Sequence, residues 1–187
     1  MLQTKGSVVK GAIENTKESF GEKEYNRLIN LLDEEERKLF LNPISTSGWY
    51  PFNTYTHFLD VLVREKFDGN PKGLIKAAEK ATEKQLKGIY SAFVKDNSPE
   101  FLMEKISTLH TVYLKGVKIE SSMVAAGKGK IRYVGFEKKH AVFECVLIGF
   151  YHKAAQIYGA KNVKVEFTTQ ISEEKGYAEI VITWKST

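Results

Sequence analysis

Between Glu137 and Gly159 the chain reads EKKHAVFECVLIGFYHKAAQIYG, and this stretch limits the possible folds more than any other. At 3.6 residues per turn it forms a helix of about six turns. From Ala141 to Tyr151 the helix is apolar almost all the way round, with Glu144 alone breaking the run. A helix without a polar face has to be covered on more than one side. It is also too short to span a bilayer, which takes ~20 apolar residues. It therefore reads as a central helix, packed on a sheet by one face and on other helices, or a second subunit, by another.

The segments before it have helical spacing. Ser7–Phe20 places Val8, Val9, Ala12, Ile13 and Thr16 on one side, and Gly21 breaks it. Tyr25, Leu28, Ile29 and Leu32 repeat at i, i+3, i+4 and i+7 within Glu22–Leu32. Asp33 is a cap for a third helix, because three glutamates follow it and favour the positive helix end. Asn42 before Pro43 stops that helix. Ser45–Pro51 reads as a turn whose aromatics, Trp49 and Tyr50, plug the end of a core, with Pro51 in the first turn of a helix over Phe52–Phe67. Pro71 restarts a helix to about Lys87, in which Ala77, Ala78 and Ala81 permit close helix approach. Ile89–Val94 continues as a helical piece that ends at Asp96-Asn97. Ser98-Pro99-Glu100 is a helix start, and the helix runs to about Leu114 with Phe101, Leu102, Ile106, Leu109 and Tyr113 facing inward.

The periodicity changes at Gly116. Val117–Ala125 alternates, Gly127-Lys128-Gly129 is a hairpin turn, and Lys130–Phe136 is the returning strand. After the central helix, Asn162–Ile171 alternates strictly. A turn over 173–176 then leads to a last strand with Ala178, Ile180, Ile182 and Trp184 on one face. The chain is thus expected to be one α+β domain over 1–187. Residues 1–115 form a helical part, and 116–187 run β-β-α-β-β, giving a four-stranded antiparallel sheet packed against helices.

Composition narrows the function. The chain has 187 residues, a net charge of +5 and one cysteine, Cys145, so an internal disulfide and a multi-cysteine metal site are excluded. Its lysines are interleaved with acids, as on a solvated surface. Lys128, Lys130 and Arg132 cluster at the hairpin tip without a nucleic-acid recognition motif, so no nucleic-acid partner is expected. Met1–Lys10 is polar and does not resemble a signal peptide, which points to the cytoplasm. Gly127-Lys128-Gly129 lacks the spacing of a phosphate loop. No catalytic triad or acid/base pair emerges from the spacing, so the expectation is a protein that is not an enzyme. Cys145 reads as a small buried hydrophobe. His57 reads as exposed. His140 and His152 bracket the central helix about 18 Å apart and cannot share a metal. His110, beside an apolar stripe just before the sheet, reads either as a core residue or as a ligand to a metal or heme iron.

The element order, together with Ser47-Gly48-Trp49-Tyr50-Pro51, Ser98-Pro99-Glu100-Phe101 and Gly159-Ala160-Lys161-Asn162-Val163 through to Trp184, resembles an uncharacterised myxobacterial-type family of paralogous proteins of about this length. That family is similar in turn to heme nitric-oxide/oxygen-binding domains, vinyl-4-reductase-type domains and the small subunits of a Golgi tethering complex. The resemblance implies helices followed by an antiparallel sheet, with heme, a small effector or an acyl chain held between them, and frequent dimerisation. In the heme sensors the proximal histidine lies on the helix before the sheet, where His110 falls. Their Tyr-x-Ser-x-Arg signature holds the heme propionates. Here that region is Tyr133-Val134-Gly135-Phe136-Glu137-Lys138-Lys139, without the serine or the arginine. An unpaired carboxylate is costly to bury, and heme is disfavoured on that ground. The paired cysteines of the last hairpin in related domains are replaced by Gln170 and Ala178.

The leading expectation is a non-catalytic sensory or small-molecule-binding domain that encloses an apolar or amphipathic ligand between helices and sheet. Trp49, Tyr55, Tyr90, Phe93, His110, Tyr113 and Cys145 are the candidate lining residues, chosen as aromatic or polarisable side chains on inward faces. No metal site is expected. The alternatives are a homodimeric interaction protein whose cavity is filled by side chains, and a heme-based gas sensor using His110.

Overall fold

The computed structural model describes residues 2–88, 90–94, 98–136, 140–171 and 176–185. Ile89, the helix stop at Asp96-Asn97, the start of the central helix at 137–139 and the last turn at 173–175 lie outside the described residues, as does the side chain of Phe93.

The helices are α1 (Gly6–Phe20), α2 (Glu22–Ile29), α3 (Glu34–Leu41), α4 (Phe52–Lys66), α5 (Leu74–Lys87), α6 (Pro99–Thr111) and α7 (Ala141–Ile157). Their ends are set by the residues that mark them in the sequence. Asp33 accepts a hydrogen bond from the backbone N–H of Glu36, and Ser98 accepts one from that of Phe101. Gly21, at φ 87°, separates α1 from α2 in a conformation that a side chain would strain. Pro71 begins a short 3-10 turn, Pro71–Gly73, that leads into α5, and the expected helical piece near residue 90 is a second such turn, Ser91–Val94.

The strands are β1 (Gln3–Lys5), β2 (Trp49–Pro51), β3 (Leu114–Lys115), β4 (Lys118–Ala125), β5 (Lys128–Val134), β6 (Lys161–Thr169) and β7 (Tyr177–Lys185). The last four form an antiparallel sheet in the order β4-β5-β7-β6, as the β-β-α-β-β pattern requires. Ile131, Tyr133, Ala178, Ile180, Ile182 and Trp184 are buried on its inner face. The outer face is polar. There Arg132 donates to Glu179 at 2.8 Å and Lys130 sits 3.6 Å from the same carboxylate, so two members of the basic cluster are partnered within the sheet.

Two details depart from the expected pattern. The hairpin turn is Ala126-Gly127, and Gly129 lies within β5, where a Cβ would meet the Met103 side chain at 2.6 Å. Trp49–Pro51 is a strand rather than a turn. It belongs to a small antiparallel sheet in the order β2-β1-β3, with Lys5 opposite Trp49 and Thr4 opposite both Tyr50 and Leu114. This sheet ties the chain's start to the end of α6.

α7 is the covered rod that its sequence demands. It packs on α5 and β6, with α4 and α6 at its flanks. Val142 and Leu147 are buried and Phe150 is partly buried. α5 covers the face that the sequence left open to a second subunit, so this helix no longer argues for a homodimer. The approach is close. A Cβ on Gly149 would lie 2.4 Å from the Ile75 carbonyl oxygen and 2.8 Å from the Ala78 Cβ. Backbone cannot yield there as a flexible side chain would. Gly149→Ala is therefore expected to cost about 1–3 kcal/mol through overpacking. Thermal unfolding followed by circular dichroism should show a midpoint lowered by several degrees, and an unchanged midpoint would contradict the α5–α7 contact.

Candidate functional site

α6 carries its buried face to the helix end. Leu102, Met103, Ile106, Leu109 and His110 are buried along it, and Tyr113 follows one turn after the last of them begins. The chain then enters β3. The Tyr113 carbonyl accepts from the Lys5 N–H at 2.8 Å and from the Thr4 hydroxyl at 3.4 Å, so the small sheet fixes the position of that residue.

His110 is 3% exposed and sits among aromatic rings. Its ring centroid lies 5.1 Å from Phe150, 5.3 Å from Tyr151, 5.5 Å from Tyr133 and 6.3 Å from Tyr113. Nε2 is within hydrogen-bond distance of two phenols, Tyr151 at 2.6 Å and Tyr133 at 3.1 Å, and the two hydroxyls also contact each other. Burial drives the imidazole's pKa down to about 3. Burial likewise raises the pKa of both phenols, so all three groups are neutral at ordinary pH. The proton count fixes the tautomer. If Nε2 accepts from Tyr151, Tyr133 can donate to the Tyr151 oxygen and every hydroxyl proton is placed. If Nε2 carried the proton, one phenolic proton would have no acceptor. The network therefore assigns the proton to Nδ1. Nδ1 has no hydrogen-bond partner among the described residues, and neither does the Tyr113 hydroxyl.

Both residues line a cavity of about 390 Å³. Its walls come from α1, α4, α5, α6 and α7, and its lining is mostly apolar, including Val8, Leu59, Leu74, Phe143, Leu147 and Phe150. The cavity reaches solvent beside Ser19, Lys76 and Lys80, which are exposed. Other polar side chains along it are already used. Asn15 donates to the Ala77 carbonyl, Thr16 to that of Ala12, and Thr82 to that of Ala78. The unpartnered atoms of His110 and Tyr113 have almost no accessible surface, so the wall these residues present to the chamber is apolar.

Of the seven candidate residues, the structure brings three to this cavity: Tyr55, His110 and Tyr113. Trp49 is elsewhere, half-buried on the small sheet between the ammonium groups of Lys5 and Lys115, 4.5 and 4.3 Å from its ring. Its strand pairs at the sheet edge and turns the indole outward. Tyr90 lies behind the wall, edge-on to Tyr113 at 5.0 Å, with its hydroxyl 3.2 Å from that of Ser7. Cys145 is buried but does not line this cavity, and burial raises its pKa, which keeps it a thiol. Phe93's side chain lies outside the described residues. Reasoning from sequence missed Tyr133 and Tyr151, although both fall on inward positions of their elements. It also gave Ala77 and Ala81 to helix contact, whereas they border the cavity. His57 is exposed and paired with Glu36 at 2.5 Å, and His152 is paired with Glu79 at 2.6 Å. Among the described residues no group of three His, Cys, Asp or Glu could hold a metal ion, and no helix is long and apolar enough to cross a membrane.

The arrangement of layers and strands is that of H-NOX domains. The chain is similar to the Fe(II) unliganded H-NOX protein from K. algicida, with TM-score 0.75 and 13% identity over 98% of this chain and 97% of that one. It is similar to a mutant H-NOX protein from S. oneidensis in the Fe(II) state, with TM-score 0.75 and 11% identity over 97% and 96%. An oxygen-binding H-NOX domain related to soluble guanylate cyclases, solved as its oxygen complex, gives TM-score 0.66 and 14% identity over 97% and 95%. At these identities the likeness establishes the fold. No protein-family model matches the sequence and no curated protein does, so the narrower myxobacterial-type resemblance rests on the phrases quoted above.

The residues present do not fit a heme. His110 Nε2, the nitrogen that would meet iron, is bonded to two phenols that do not line the cavity. The cations among the lining residues, Lys76 and Lys80, are at the exposed mouth, and Lys80 is bound to Glu18 at 2.7 Å. The space is also small. A 150 Å³ cavity takes benzene, so by that scaling this one takes about fifteen non-hydrogen atoms, against about forty in a heme.

The buried imidazole ties stability to pH. Its folded pKa lies below the unfolded value of 6.5. The unfolded chain therefore binds more protons between pH 6.5 and about 3. Its contribution is complete above pH 6.5 and is lost as pH falls through that window, by at most about 1.4 kcal/mol per pH unit. Chemical denaturation at a series of pH values should give a shallower acid slope for His110→Phe than for wild type. Equal slopes would show that the imidazole is not buried neutral.

Proposed function

We propose that the chain is a non-catalytic sensory domain that encloses one small apolar or amphipathic molecule; the chamber lies among the helices, with no described residue of the four-stranded sheet in its lining, rather than between helices and sheet as the sequence leads one to expect. The observation that carries this reading is the chamber itself: about 390 Å³, walled mostly by apolar side chains. Native cores leave few voids larger than a water molecule. A space this large, within the ordinary range for small-ligand pockets, is a site for an occupant. The neutral, mutually bonded His110, Tyr133 and Tyr151 offer no ready base or nucleophile, which favours binding over catalysis. The volume also weighs against a cavity closed by its own side chains.

A heme-based gas sensor is the second reading. It is favoured by the placement of His110 on the helix before the sheet in a fold shared with H-NOX domains. It requires Nε2 to leave both phenols.

Native mass spectrometry of the full chain purified without added ligand separates the two. We expect a noncovalent adduct, or an empty chain whose melting temperature rises with small apolar compounds. Ala77→Leu, which extends a side chain into the cavity, should abolish either signal while the protein stays folded. No adduct and no thermal shift would overturn the proposal. A Soret band on addition of hemin, lost in His110→Ala, would establish the heme reading in its place.

A further inference from the structure

We propose that the occupant is one unbranched chain of about fifteen non-hydrogen atoms, with its apolar tail inside the chamber and an anionic head group beside Lys76 at the mouth. This rests on the reading of the chamber as a ligand site and adds the shape and charge class of the ligand.

The shape comes from the way three helices line the space. α1, α4 and α5 contribute lining residues from Val8 to Phe20, from Tyr55 to Phe67 and from Gly73 to Gln85. Each span is about twelve residues, or about 18 Å at the rise of a helix. The three run side by side. The Phe52 N–H donates to the Leu2 carbonyl where α1 and α4 begin, and Phe20 meets Phe67 at 6.1 Å where they end, so these two are parallel. α5 runs the opposite way. Asn15 donates to the Ala77 carbonyl, and a Cβ on Gly11 would lie 3.4 Å from Gln85 Nε2. The chamber is therefore a slot about 18 Å long. Its 390 Å³ hold about fifteen non-hydrogen atoms, which stand about one per ångström along that length. An extended chain advances about 1.1–1.2 Å per bond, a third of the 3.3–3.6 Å gained per polypeptide residue. A single file of atoms thus matches the slot, whereas fused rings of the same size are too short and too wide.

The direction comes from the two ends. Thr4, Tyr55 and Tyr113 close one of them and are all buried. At the other, where α1 finishes and α5 begins, Ser19 and Lys76 are exposed. A chain that enters a slot closed at the far end leaves its head at the open one.

The charge comes from the mouth. Among the described residues, Lys76 and Lys80 are the charged members of the lining. Lys80 is paired with Glu18 at 2.7 Å, while Lys76 has no ion-pair partner among the described residues. A carboxylate at the mouth stays hydrated and meets an unpaired ammonium group. The same carboxylate farther in would be buried without a cation.

The full chain is titrated by calorimetry with straight-chain acids from octanoic to octadecanoic. Affinity should rise about fourfold per added methylene and stop rising near tetradecanoic acid, whose tail reaches the closed end. Val8→Phe, which fills that end, should move the limit to a shorter acid. 9-Anthracenecarboxylic acid, with a similar number of atoms, should bind about a hundredfold more weakly than tetradecanoic acid because it overpacks the slot. Tetradecan-1-ol should bind about two- to fivefold more weakly than the acid, the worth of one exposed ion pair, and tetradecylamine more weakly still. In Lys76→Ser the acid should lose its advantage over the alcohol, with the alcohol unchanged. A ring acid that binds as well as the chain, or a length series without a limit, overturns the linear occupant while the chamber stands. An amine that equals the acid, or an acid advantage that survives Lys76→Ser, overturns the anionic head. If nothing in the set binds, the reading of the chamber as a ligand site falls, and this inference with it.

Discussion

The hydrogen bonds between His110 and the phenols of Tyr133 and Tyr151 join three elements in the buried core. His110 comes from α6, Tyr133 from the second strand of the large sheet, and Tyr151 from the central helix. Apolar packing holds these elements together but is not directional. The three-way bond adds direction. It sets the rotation of α6 about its axis, and with it the side on which Tyr113 and the free ring edge of His110 emerge. Buried networks repay their cost only when every member is satisfied. Here the phenols are satisfied and the imidazole is satisfied at one nitrogen. The deficit is left at Nδ1.

The commitment of Nε2 bears on the comparison with the heme proteins whose fold the chain shares. A helix before the sheet bearing a buried histidine is common to the reading of both. What changes is where the imidazole is committed. With Tyr151 at 2.6 Å, Nε2 has a partner that competes with any ligand of the ring, and the desolvated imidazole is already neutral. The sequence after Tyr133 also has neither the serine nor the arginine of the signature that the heme sensors carry. Both features weigh against a heme and toward the smaller occupant proposed above.

How much of this was legible in the sequence depends on the length of the signal. The caps at Asp33 and Ser98, the strict alternation of the last two strands and the all-round apolarity of the central helix are patterns of a turn or more, and each has its expected structure. The small sheet was not legible. Its strands are two or three residues long, shorter than one full alternation can establish, and Trp49–Pro51 carries the composition of a turn. Gln3–Lys5 pairs with both of the others, across about fifty residues to Trp49–Pro51 and about one hundred and ten to Leu114–Lys115, beyond the reach of any local rule. The site was partly legible for the same reason. Tyr55, His110 and Tyr113 stand on inward faces of long helices. Trp49 depends on the small sheet, and its indole ended between two lysines. The hydrogen-bond partners of His110 required knowledge of which strand and which helix face it.

The cavity itself follows from where small side chains were placed on α5. Ala78 meets Gly149, and that contact brings α5 and α7 so close that a Cβ at Gly149 would have no room. One position before it and three after, Ala77 and Ala81 turn toward α1, where Ala12 lines the same space. Close approach on one face fixes the helix axis, so the short side chains on the neighbouring face cannot be compensated by further collapse. A core with leucines at these positions would fill the gap and gain burial worth about 0.8 kcal/mol for each added methylene. The chain forgoes that gain next to a histidine nitrogen and a phenol that lack partners. Short side chains at successive positions of one helix face thus keep open a space of about 390 Å³ that the surrounding helices do not close.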